Sequence, residues 1–353
     1  MKAEDKNVMV DALIEQVDTV AEAMKNIAKI DEVDIATSPR ELVWSDGKVK
    51  LYHFLSDTPK VAKTPVMISY ALVNRWEMMD LQPDRSFVRK MLSLGMDVYV
   101  IDWGYPTQVD RYKTMADYIL GNMNDAVDAI RKIAKTDKVN ILGVCQGGTF
   151  SLIYASLFPE KVKNLITLVT PVNFKTENGL LFKWAKDMDV DAVVDGFDGV
   201  VPGDFLNSGF DLLKPMNKAR KYMSMPETMK NHDTLMNFLR MEKWVADSPS
   251  QAGDTYRQFI KDMYQQNKLA EGKFEIEGHK VNLKKIDMPV LTIYASADHI
   301  VPPDTTKPIN DLIGSKDKEL MEFPGGHIGV FVGGRSQNVL TPAITDWLVK
   351  RDK

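Results

Sequence analysis

Cys145 is the only cysteine among 353 residues, and it sits in the stretch Gly143-Val144-Cys145-Gln146-Gly147. A thiol held at a sharp strand-to-helix turn makes a nucleophile, because strained backbone angles keep its side chain projecting. Small residues two positions before and two after let strand and helix approach. Gly143 and Gly147 meet that demand, KVNILGV before the cysteine reads as the strand, and TFSLIYASLF, halted at Pro159, reads as the helix. A helix N-terminus favours a thiolate, and the backbone N–H of Gln146 would face a developing oxyanion there. A lone cysteine is otherwise a small buried hydrophobe, so the choice rests on the partners the chain supplies.

A nucleophile needs a base, and the base an orienting acid. On this kind of sheet the acid follows a late strand and the histidine the last one. Asp298 follows the apolar run VLTIYASA, and His327 follows LMEF inside Pro324-Gly325-Gly326-His327, so both fall at carboxyl ends of predicted strands. Of the other four histidines, His53 lies in an early hairpin and His279 in a polar stretch, and both read as solvated. His232 reads as a polar helix start. His299 competes with His327, but its adjacency to Asp298 suits a supporting position better than a base–acid pair. The second oxyanion donor is expected from the turn Ala71-Leu72-Val73-Asn74-Arg75-Trp76, with the N–H of Val73 as the candidate. Arg75 reads as a contact for a CoA phosphate or as a surface salt bridge. Asp102-Trp103-Gly104-Tyr105-Pro106 reads as a strand-end turn with a packed tryptophan. No HExxH, paired cysteines or histidine cluster points to a metal, and no Gly-rich phosphate loop is present.

The elements that must position these residues follow from periodicity. Continuous apolar runs at 64–73, 96–104, 138–145 and 162–172 suit strands buried on both faces. Between the second and third of these, Ile119, Met123, Ala126, Val127, Ile130 and Ile133 share one helical face. The alternation predicts an α/β fold with a mostly parallel sheet flanked by helices. ELVWSDGKVKLYHF, turning at Asp46-Gly47, predicts a hairpin. The strand rhythm stops after Pro171 and resumes at 288. The core is therefore assigned to 31–172 and 288–353, with a large, mainly helical cap inserted at 173–287. Residues 1–30 read as an amphipathic helix on Val8, Leu13, Val17, Val20, Met24 and Ile27, and packing against the body is expected for it. A net charge of −4 offers nothing to nucleic acid or to an anionic membrane surface. One cysteine excludes an internal disulfide, and there is neither a leader-like start nor an apolar run long enough to span a bilayer. A soluble, cytoplasmic protein is expected.

GVCQGG, IDWGYP, ALVNR, FLRMEKW, DSPSQAG, RQFIKD, DHIVPPD and FPGGHIG together resemble the catalytic subunit, PhaC, of poly(3-hydroxyalkanoate) synthases. The resemblance runs from about residue 30 to the end, and the short chain is similar to the two-component class III enzymes, with class IV also open. It implies an α/β-hydrolase fold and polymerisation of 3-hydroxyacyl-CoA, short chains such as 3-hydroxybutyryl above all, with release of CoA. The thioester is the substrate, and no cofactor is implied. Matched motif by motif, the family's catalytic cysteine, aspartate and histidine fall on Cys145, Asp298 and His327. Further implied are a second subunit of the PhaE type (PhaR type for class IV), a homodimer, and association with the polyester granule. Two rivals stand beside it. One is a Cys-Asp-His hydrolase of the dienelactone hydrolase kind acting on acyl-CoA or a related ester, the other a granule scaffold on a retired catalytic fold.

Overall fold

The computed structural model describes residues 10, 14, 17, 18, 21, 22 and 24–352. Asp46-Gly47 turns the chain between strands β1 (Arg40–Asp46) and β2 (Val49–Phe54), with Gly47 at φ +54°, a conformation glycine adopts without steric cost. The apolar runs become β3 (Val66–Ser69), β4 (Val98–Asp102), β5 (Val139–Val144), β6 (Val162–Leu168), β7 (Val290–Ala295) and β8 (Lys318–Phe323). They form one eight-stranded sheet in the order β1-β2-β4-β3-β5-β6-β7-β8. The first hairpin adds antiparallel to β4, and every other pairing is parallel. β3, β4 and β5 are buried at every position, which is why they read as unbroken apolar runs rather than as alternation.

Helices cover both faces. α1 (Phe87–Ser93) is capped by Ser86 Oγ accepting from Arg89 N, and α2 (Asn124–Ala134) ends on Lys135 in the left-handed region. α3 (Gln146–Leu157) follows the elbow and is buried over nearly its whole length. The predicted face from Ile119 to Ile130 is buried, its first turns, Asp117–Met123, are π-helical, and Ile133, in the last turn of α2, is exposed. Between β6 and β7 the chain makes a mainly helical excursion that includes α4 (His232–Ala246) and α5 (Gly253–Phe259), the latter running on as a π-helical segment to Gln265. α6 (Thr341–Lys350) closes the fold through Trp347 and Leu348.

Three expectations need correction. The N-terminal segment is helical where described, yet Val10, Ile14, Val17 and Met24 are exposed, so among the described residues these positions are not packed on the body, while Ile30 packs against Met229 and Leu235. Asn26 also ties the segment to the cap, its Nδ2 donating to the carbonyls of Met229 and Lys230. Val8, Leu13 and Val20 lie outside the described residues. His53 is not solvated: Nε2 meets Asp97 at 2.8 Å, Nδ1 meets Glu41 at 3.2 Å, and the ring stacks on Tyr99. Arg75 is neither a surface salt bridge nor a free cation. It is buried and grips Asp102 through two bonds of 2.8 and 3.1 Å and Glu77 through one of 2.8 Å. His279 is exposed, and His232 is exposed at the start of α4.

Candidate active site

Cys145 joins β5 to α3 at φ +53° and ψ −122°, a conformation that costs a non-glycine residue about 1–3 kcal/mol. The surroundings hold it there. Cys145 N donates to Leu168 O at 2.9 Å, and Cys145 O accepts from Gly148 N and Thr149 N. The two elbow glycines are required by contact rather than by φ. A Cβ on Gly147 would lie 2.2 Å from Ser69 O, and one on Gly143 would lie 2.6 Å from the Cα of Gly148.

The ends of β7 and β8 bring Asp298 and His327 to the same edge. Asp298 is buried, and its Oδ1 accepts from the N–H groups of Ile300 and Val301, both at 2.9 Å. Its Oδ2 accepts from His327 Nδ1 at 2.7 Å, which leaves Nε2 as the ring nitrogen available to Cys145, close enough for the two groups to interact electrostatically. Burial alone would disfavour the imidazolium, but the Asp298 carboxylate and Cys145 outweigh it and raise His327 to about 10. His299 is half-buried and differs in sign. Burial first, then Lys214, hold it below its ordinary value, with Asp298 opposing them. The structure thus joins His327 to Asp298 within electrostatic reach of Cys145, while no hydrogen bond among the described residues links His299 to them.

The predicted oxyanion turn stands beside the elbow. Neither the N–H of Val73 nor that of Gln146 has an acceptor among the described residues. Sequence reasoning missed that the Gln146 side chain also takes part: its Oε1 accepts from Leu72 N at 3.1 Å and ties the elbow to the turn. The indole Nε1 of Trp103 donates to Tyr70 O at 2.8 Å, which packs the strand-end tryptophan beneath the same turn. From the excursion, Tyr264 is buried, and burial, with Cys145 a lesser cause, pushes its phenol up. Its ring is pinned against Phe174 at 4.8 Å and Phe182 at 5.0 Å. Among the described residues no group of three or more His, Cys, Asp or Glu could hold a metal ion, and no helix is long and apolar enough to cross a membrane. The arrangement can therefore carry out acyl transfer through a thiolate, with an imidazole to move the proton and two backbone N–H groups for the oxyanion.

Comparison with known proteins points the same way. The chain matches the family described as alpha/beta hydrolase fold over residues 74–334. It also matches the Poly-beta-hydroxybutyrate polymerase (PhaC) N-terminus over residues 7–91. Solved α/β structures share the fold at low identity. An esterase from Thermogutta terrifontis aligns with a TM-score of 0.53 and 15% identity, covering 90% of this chain and 100% of that one. A monoacylglycerol lipase from Paleococcus ferrophilus aligns at 0.51 and 17%, covering 85% and 99%. The poly(3-hydroxyalkanoate) polymerase subunit PhaC of Thiocystis violacea is 47% identical over 343 residues, 96% of either chain. That of Allochromatium vinosum is 47% identical over 335 residues, 94% of either chain. With that identity sustained across nearly its full length, the chain belongs to the PhaC family of poly(3-hydroxyalkanoate) polymerases.

Proposed function

We propose that the chain is an acyltransferase that polymerises 3-hydroxyacyl-CoA, with 3-hydroxybutyryl-CoA as the favoured substrate, through a covalent thioester on Cys145. The observation that carries this reading is the buried His327–Asp298 pair, joined at 2.7 Å and within electrostatic reach of the thiol at the elbow. His327 Nε2 takes the Cys145 proton, and the thiolate attacks the CoA thioester carbonyl. The N–H groups of Gln146 and Val73 bind the oxyanion. The carbon–sulfur bond to CoA breaks, and His327 returns the proton to the departing CoA thiolate. His327 then takes the proton of a second unit's hydroxyl, whose oxygen attacks the Cys145 thioester, forms the ester and frees the thiolate. Transfer to a hydroxyl rather than to water requires a site that excludes water, and the half-burial of Cys145 supports that. The cap assigned to 173–287 supplies this cover to the core of 31–172 and 288–353.

A second subunit of the PhaE type, or of the PhaR type in a class IV system, completes the enzyme, which works as a homodimer at the surface of a cytoplasmic polyester granule. The unburied stripe of Val10, Ile14, Val17 and Met24 supports a partner for the N-terminal helix. The test is intact-protein mass after brief exposure to 3-hydroxybutyryl-CoA, with peptide mapping and with a PhaE-type subunit added or withheld. The reading expects a hydroxybutyryl adduct on Cys145 that is absent in Cys145→Ala. An adduct elsewhere, or none in the presence of CoA release, would overturn it.

A further inference from the structure

The turn that offers the second oxyanion donor is held from two sides. On the core side, Gln146 Oε1 accepts from Leu72 N. On the cap side, Ser248 Oγ donates to Asn74 Oδ1, and the indole Nε1 of Trp244 donates to Arg75 O at 2.7 Å. Val73 lies between these anchors. Asn74 is left-handed at φ +59°, a conformation asparagine tolerates better than most residues, and its amide is engaged by the cap. The cap residues are themselves fixed. Trp244 is buried, Asn207 Nδ2 donates to Val245 O at 2.8 Å, and Gly203 packs so close that a Cβ there would lie 2.2 Å from Ser248 O. Between them, Asp247 accepts from Tyr105 OH at 2.8 Å, and the Tyr105 ring lies 4.4 Å from the Arg75 guanidinium. From Ser248 the chain runs on through α5 into the π-helical segment that carries Tyr264.

We infer that Trp244 and Ser248 are positioning residues for the oxyanion donor, so that the hole is complete only while the cap is seated on residues 74 and 75. The inference rests on acylation of Cys145, the first half of the reaction proposed above, and is indifferent to what accepts the acyl group. Displacement of the 244–248 segment releases Asn74 and the Arg75 carbonyl, and the Val73 N–H then loses its aim while the thiol keeps its base.

Two reactions of the same thiol separate this from a merely structural role. Attack on a thioester develops an oxyanion, whereas alkylation by iodoacetamide at a saturated carbon does not. Ser248→Ala and Trp244→Phe are expected to slow first-turnover CoA release from 3-hydroxybutyryl-CoA about tenfold or more, part of the ~10²–10³ lost with a whole donor. Alkylation of Cys145 should proceed at the wild-type rate in both, and Ser248→Thr should restore release. Unchanged CoA release in both variants would overturn the inference, as would a loss matched by an equal loss of alkylation. Wild-type protein that makes free acid instead of polymer refutes the polymerase reading alone, because the acylation comparison stands regardless.

Discussion

Asp298→Asn probes the relay where the structure makes its strongest demand. The side chain keeps its size, and its carbonyl oxygen can still accept from the N–H groups of Ile300 and Val301, so the loop stays in place. What changes is the face toward His327. An amide donating to Nδ1 forces the proton onto Nε2, and that nitrogen then offers Cys145 a donor where a base is needed. The charge lost is large. The rise of His327 from 6.5 to about 10 corresponds to roughly 5 kcal/mol, with Asp298 the foremost of the groups that oppose burial. Removal of most of that stabilisation, together with the wrong tautomer, predicts a fall in first-turnover CoA release of about 10³-fold or more. Release is read by stopped-flow thiol trapping, and thermal unfolding confirms that the variant is folded. A folded Asp298→Asn protein whose release stays within about tenfold of wild type would refute the argument, because the carboxylate would then not be setting the state of His327.

Other expectations follow from single contacts. His327→Gln should abolish CoA release while His299→Gln leaves most of it, and equal damage from the two would misplace the base. Gly147→Ala should lower stability by about 1–3 kcal/mol in urea unfolding, because its Cβ meets main-chain oxygens that cannot move aside. His53 is raised by its bond to Asp97, against burial, and such a group stabilises the fold fully below its unfolded pKa of about 6.5. That contribution is lost as pH rises through the higher folded value. His53→Gln should therefore lower Tm more at about pH 6 than at about pH 9, and an equal loss at both would show that the charge is not involved.

The parts legible in the sequence were those in which local chemistry leaves little choice. Strands buried on both faces must be apolar throughout, so β3, β4 and β5 stand out as unbroken runs. The elbow shows itself because Gly143 and Gly147 are required by steric contact, and Asp298 and His327 because both follow strand-like runs. What stayed hidden depends on long-range pairing. Arg75 looks like a surface cation until the fold brings Asp102 to it, and Gln146 shows no sign that its side chain will reach Leu72. The N-terminal helix has a clear apolar face, but periodicity says only that such a face wants cover and not where the cover comes from. The π-helical turns at Asp117–Met123 and Ile260–Gln265 escape for another reason: in so short a window their period is indistinguishable from 3.6.

The central claim is that the acyl group on Cys145 passes to a hydroxyl and not to water. The most direct test incubates the purified protein with 3-hydroxybutyryl-CoA, alone and with a PhaE-type subunit, and weighs the insoluble polyester against free 3-hydroxybutyrate. The account predicts that CoA release is matched by polyester, and that both vanish in Cys145→Ala. Free acid equal to the CoA released, with no polymer under either condition, would contradict it and make the protein a thioesterase.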